Sequence, residues 1–259
     1  MGSELAAALS HDLSNDGRQL PAEKLPKPLE AENLQQLLVN WLSLGRYLPP
    51  RIAMKPVDTE TIELLSVAVP RQLFVLLHDA GGTAADMLEL GQRLGDAFAE
   101  AAVVIPEGLS GPLSASENPQ ALTARVAALA AFVRVQQQRF ALLQSDSALA
   151  GLGAGASLAL AFSDAHDGRV GRVLAFGGSY AVWPVKAPRL TTLHLLHGQK
   201  DLVVPVARAR EGFARLTALG ADATLDVAAS LGHGLHPALM DQAVTRLQTC
   251  VPLRHWPVV

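Results

Sequence analysis

A single cysteine among 259 residues has no intrachain partner, so Cys250 excludes a disulfide-stapled scaffold and fits a reducing compartment. Aromatic residues are few, at 5%, and Lys and Arg are scattered singly. That excludes the basic, aromatic-interleaved face of a nucleic-acid binder. No basic segment followed by an apolar one opens the chain, so no signal peptide is expected. Ala6 stands where N-myristoylation requires Ser or Thr. The longest uncharged run, Ser147–Ser163, is rich in glycine and falls just short of the roughly 18 residues that mark a membrane span. The expectation is a cytoplasmic protein with no membrane span and no nucleic-acid partner. What the chain does have is apolar content, 49% of residues at a net charge of −3, enough for a sizeable core and against general disorder.

Residues 1–60 differ from the remainder. Ser10–Pro28 is polar and carries prolines at 21, 26 and 28, the composition of a loop or extended arm. An amphipathic helix follows over about 30–44, with Leu34, Leu37, Leu38, Trp41 and Leu42 on one face, closed by Gly45 and two prolines. It reads either as a helix docked on the main domain or as an element that binds a partner or a second copy. From residue 61 to 259, strand and helix patterns alternate. "TIELLSVAV", "QLFVLLHD", "AAVVIP", "RVLAFGG", "TTLHLLHG" and "TLDVAA" read as strands. Helical spacing runs from Thr83, from Asn118, from about Ala207 and from Pro237. Such alternation predicts an α/β domain, a mostly parallel central sheet with helices on both faces, carrying an N-terminal helical extension.

The run "LAGLGAGASLAL" poses the chemical question. Its glycines fit the loose form of a dinucleotide-binding turn, G-x-G-x-x-A. That chemistry also requires an acid at the end of the next strand for the ribose hydroxyl, and "RVLAFGGSY" ends in Gly177, Gly178 and Ser179. The run also sits where a hydrolase turn, G-x-S-x-G, would hold its nucleophile. There the acid and the histidine follow in chain order. Asp201 lies in a loop just past the strand "TTLHLLHG", and His233 in the glycine-flanked loop "LGHG" before the last helix. Taken singly, Asp201 reads as a turn aspartate and His233 as a loop histidine; together they fit a proton relay at the carboxyl edge of the sheet.

Over about Thr61 to the C-terminus the chain resembles the bacterial phospholipase/carboxylesterase family, related to acyl-protein thioesterases. The resemblance is carried by "QLFVLLHDAGG", "AVVIPEG", "LAGLGAGASLAL", "LHLLHGQKDLVVP" and "LDVAASLGHGLHP". It implies a single α/β-hydrolase domain that cleaves esters or thioesters without a cofactor. It also implies Asp201 and His233 as catalytic acid and base, and the backbone N–H groups of Ala80 and Ala154 as the oxyanion hole.

The departures cluster at that same site. The family's serine position is Gly153, and the glycine after the first motif histidine, His78, is Asp79. Residues 107–119 look short. Without a side chain at Gly153 no acyl-enzyme forms there. Ser157, in a G-x-S-x-A near-match, is the alternative nucleophile; it more readily reads as a first-turn helix serine. Asp79, with His78 in the expected pocket, reads as a turn aspartate facing solvent, or as a carboxylate that pairs with His233 or acts as a base. His233 and His236 lack a third ligand at metal-site spacing, so no metal is expected.

The expectation is a catalytically degenerate relative serving in binding, regulation or assembly, with a small acyl-type ligand or a protein partner engaged through residues 1–60. The alternatives are an active esterase or thioesterase using Ser157 or an activated water, and a dinucleotide-binding protein.

Overall fold

The structure, a computed structural model, describes residues 60–109, 119–250 and 252. The proposed extension and its helix over about 30–44 lie outside the described residues. Seven strands form one sheet: β1 (Thr61–Leu65), β2 (Gln72–Leu77), β3 (Ala101–Pro106), β4 (Ser147–Leu152), β5 (Arg172–Phe176), β6 (Thr192–Gly198) and β7 (Ala223–Ala228). Their order across the sheet is β1-β3-β2-β4-β5-β6-β7, and every pairing is parallel except β1 with β3. Among the described residues five helices accompany them: α1 (Leu88–Ala97), α2 (Pro119–Phe140), α3 (Ala154–Ala165), α4 (Val206–Ala218) and α5 (Pro237–Thr249).

The central strands are near-continuous apolar runs because both faces are covered. In β2, Leu73, Val75 and Leu77 point into one core, with Val126, Leu129 and Val133 of α2 and Leu158 and Phe162 of α3. Phe74 and Leu76 point the other way, onto Leu90 and Leu94 of α1 and Leu239 and Met240 of α5. Strand alternation therefore feeds two hydrophobic layers from one segment. Each fully buried Leu or Phe contributes on the order of 1.5–3 kcal/mol.

Two sequence expectations shift. The strand expected over "TIELLSVAV" ends at Leu65, and Val69 is 78% exposed; among the described residues β1 is an edge strand, paired with β3 alone. The helix expected from Thr83 begins as a 3₁₀ turn, Ala84–Met87, where the Asp86 carboxylate accepts from the Thr83 backbone N–H at 2.7 Å. Among the described residues no helix is long and apolar enough to cross a membrane.

The topology brings the carboxyl ends of β2, β4, β5 and β6 side by side. Asp79, Gly153, Gly177 and Asp201 follow those four strand ends in turn.

Candidate active site

The β4–α3 junction is a sharp turn built on glycine. Gly153 sits at φ 53°, ψ −109°, a conformation that L side chains rarely adopt, and its N–H is held by the Phe176 carbonyl at 2.9 Å. Gly155, the second residue of α3, packs flat on β2. A Cβ there would lie 2.3 Å from the Leu77 carbonyl oxygen. The strand-turn-helix geometry of a nucleophile elbow is thus present with nothing projecting from its tip.

His233 and Asp201 come together as the sequence motifs imply. Asp201 Oδ2 lies 2.8 Å from His233 Nδ1, while Asp201 Oδ1 accepts from the backbone N–H groups of Val203 and Val204 at 2.9 and 2.8 Å. The Asp201 side chain is fully buried, so its orientation is fixed by these donors. His197 Nε2 stands 3.4 Å from the same carboxylate and donates to the Val204 carbonyl at 2.7 Å. A Cβ on Gly177, at φ 56°, would come within 3.1 Å of the His233 ring and 3.2 Å of Asp201 Oδ2. Gly177 makes room for the pair, a role that motif reasoning missed.

The carboxylate of Asp79 is turned to His233 and the start of α3 rather than outward, which corrects the reading of a turn aspartate pointing at solvent, although its side chain stays partly exposed. Its Oδ2 is 3.0 Å from His233 Nε2, and its Oδ1 accepts from the backbone N–H groups of Ala80 and Ala154, both at 2.7 Å. An oxyanion hole needs donors about 2.7–3.1 Å from the developing negative oxygen. The carboxylate of Asp79 meets that criterion from inside the protein. It also lies at the amino end of α3, where the helix dipole favours negative charge. The atoms fill the vacated nucleophile space as well, since a Cβ on Gly153 would fall 2.1 Å from Asp79 Oδ1.

The protonation states follow from this geometry. His233 is driven up to about 9, first by its hydrogen bond to Asp79, then against the effect of burial by its bond and charge contact with Asp201. It is therefore an imidazolium near neutral pH. Burial alone would raise the Asp79 carboxyl, but the bonds from His233, Ala154 and Ala80 outweigh it and hold the group below the ordinary carboxylate value.

Ser157 is placed away from this relay. Its hydroxyl donates to the Gly153 carbonyl at 3.0 Å and accepts from the Ser179 N–H at 3.1 Å. Four residues beyond Gly153, it stands in the first turn of α3 and faces backbone. His78 is 3% exposed and lies behind the cluster; its Nδ1 donates to the Asp79 carbonyl at 2.8 Å, fixing the loop that carries the carboxylate. His194 is fully buried in β6, bonded through Nδ1 to Thr224 at 2.9 Å, and burial lowers it to about 4. The glycines that resembled a dinucleotide turn surround the same helix start, where the Ala154 N–H is already occupied by Asp79.

Two cavities lie elsewhere. One of about 710 Å³ sits at the amino ends of the strands, near Gln72, Ser147 and Arg172. One of about 370 Å³ lies between α2, α3 and the loop carrying Tyr180 and Trp183. Neither is lined by Asp79 or His233.

The phospholipase/carboxylesterase family model matches residues 112–251. The chain is 32% identical over 203 residues to Esterase YpfH of Escherichia coli (strain K12), covering 72% of this chain and 86% of that one. Among solved structures, esterase PE8 superposes with a TM-score of 0.65 at 24% identity, covering 74% of this chain and 99% of its own. A carboxylesterase from Mesorhizobium loti gives 0.67 at 17% identity, with 76% and 98% covered; these two likenesses show the fold. With the mostly parallel sheet, the elbow and the order of its motifs, the chain belongs to the phospholipase/carboxylesterase family and has the α/β-hydrolase fold.

Proposed function

We propose that this family member is catalytically degenerate as a serine hydrolase and acts in binding, regulation or assembly. One observation carries the reading. The Asp79 carboxylate bonds both backbone donors of the expected oxyanion hole and the relay histidine at once. Acyl transfer needs three things at this place: a nucleophile, an empty hole and a neutral base. Gly153 supplies no nucleophile, Asp79 fills the hole, and His233 is charged below about 9. In this reading Asp201 and His233 are a retained relay that holds Asp79, and residues 1–60 offer the surface for a partner.

A second reading, an active esterase, is favoured by the name of the relative Esterase YpfH. It would use a water activated by His233, or Ser157. The charge on His233 opposes the first route, and the two backbone bonds of the Ser157 hydroxyl oppose the second.

The wild-type protein is expected to resist labelling by a fluorophosphonate probe. It should also hydrolyse p-nitrophenyl acetate and a short acyl thioester no faster than buffer at pH 7. Turnover well above buffer, lost in His233→Ala, would establish the esterase reading instead.

A further inference from the structure

Asp79 is bonded, yet it is not shut away. Its side chain is 27% exposed, so the residue borders solvent. One oxygen, Oδ1, is fixed between the Ala80 and Ala154 N–H groups, and the other, Oδ2, lies beside His233. His233 is in turn fixed by Asp201. A carboxylate so held is a poor attacker of esters, because the substrate's carbonyl oxygen would need the hole that Oδ1 fills. Attack on saturated carbon carries no such demand. Substitution there moves negative charge from Oδ2 onto the leaving group and asks nothing of the hole.

We propose that Asp79 is a nucleophile toward saturated carbon, and that the protein hydrolyses primary alkyl halides through an alkyl ester of Asp79. The inference rests on the preceding reading in one respect, that Asp79 and not a serine occupies the reacting position. In the first step an Oδ2 lone pair forms a bond to the carbon as the carbon–halogen bond breaks, and the halide departs with the electron pair. In the second, water attacks Asp79 Cγ and gives its proton to His233 Nε2. The negative charge of the tetrahedral intermediate develops on Oδ1, where two N–H groups already point at 2.7 Å. The Cγ–O(alkyl) bond then breaks, and the departing alkoxide takes the proton back from His233. Asp79 is left as the acid, carrying water's oxygen and second proton, and passes that proton to His233 Nε2, which restores the carboxylate and the imidazolium. Counting the proton that His233 gave up after the first step, alkyl halide and water become alcohol and hydrogen halide.

The two steps are ordered by charge. While Asp79 is ionised, its bond to His233 is the main reason the ring stays protonated. Esterification removes that charge and lets the ring lose its proton, so the base is released only after the ester exists. The three hydrogen bonds that hold the carboxylate also lower its basicity, which confines capture to good leaving groups such as bromide and iodide.

The test uses the full chain in a Cys250→Ser background, which removes the single thiol, with 1-bromohexane as probe. Wild-type Asp79 is expected to release bromide, and Asp79→Asn to release none above buffer. His233→Phe should slow ester hydrolysis by roughly 10²-fold or more, so that hexylated Asp79 accumulates and is found by peptide mass spectrometry. A single turnover in H₂¹⁸O needs no change at the site. It should give hexanol carrying ¹⁶O and place ¹⁸O in the Asp79 carboxyl. First-turnover alcohol carrying ¹⁸O, or no bromide release together with unmodified Asp79 in His233→Phe, overturns the proposal. Ester turnover by wild type bears on the acyl-silent reading; the alkylated aspartate bears on this one.

Discussion

The double variant Asp79→Gly/Gly153→Ser is expected to hydrolyse p-nitrophenyl acetate on the order of 10³-fold faster than wild type, since loss of a triad nucleophile removes about 10⁶ in kcat in subtilisin. Neither single change suffices. In Gly153→Ser the new Cβ would stand 2.1 Å from Asp79 Oδ1 and 2.4 Å from Cγ, so the hydroxyl and the carboxylate compete for one space. In Asp79→Gly the hole opens and His233 is freed, but nothing attacks. Only together does a hydroxyl meet a neutral imidazole, with Ala80 and Ala154 N–H groups free for the oxyanion. The elbow exacts a stability cost. Serine at φ 53° is strained, by about 1–3 kcal/mol, so the double variant should melt below wild type while gaining activity. Steady-state kinetics of all four proteins decides the matter. Equal gain in Gly153→Ser alone would mean that Asp79 leaves the site readily.

A second large effect concerns the charge on His233. By NMR titration of its ring, wild type should show a pKa of about 9, and Asp79→Ala should bring it down toward the ordinary 6.5 by at least about one unit. The stability consequence has a definite sign. A folded pKa raised from 6.5 to about 9 means that the folded state binds more protons across that interval. The stabilisation is complete below 6.5 and is lost as pH climbs through 9. Asp79 acts in the opposite sense: its depressed folded value gives stabilisation above 3.8 that is lost as pH falls through the lower folded pKa. Urea unfolding should therefore show wild type most advantaged over Asp79→Ala between about 4 and 6.5, with the difference shrinking toward pH 10. A difference that instead grows with pH would contradict the pairing.

The alternation of strand and helix was legible because buried parallel strands are apolar throughout and their helices keep a 3.6-residue period. The places of Gly153, Asp201 and His233 were legible from motif order, since each follows a strand that ends at one edge. The position of Asp79 was legible only as one of two readings, a solvent-facing turn aspartate or a partner of His233, with nothing in the sequence to choose between them. Its partner His233 is 154 residues away, and a lone aspartate after a strand looks like any turn aspartate. An absent serine is visible in a sequence, but what fills the space it leaves is decided by which loop comes closest. Gly177 was hidden for a similar reason, because its use lies in the room it leaves for the His233 ring. Ser157 reads first as a first-turn helix serine and only secondarily as a nucleophile, and its hydroxyl is turned to the backbone of Gly153 and Ser179.

The backbone N–H groups of Ala80 and Ala154 report most directly on whether the hole is filled from within. In ¹H–¹⁵N spectra of the wild-type protein both amide protons should lie well downfield, as short bonds to a carboxylate require, and both should move upfield in Asp79→Ala. Ordinary amide shifts in wild type, unmoved by removing the carboxylate, would contradict the account.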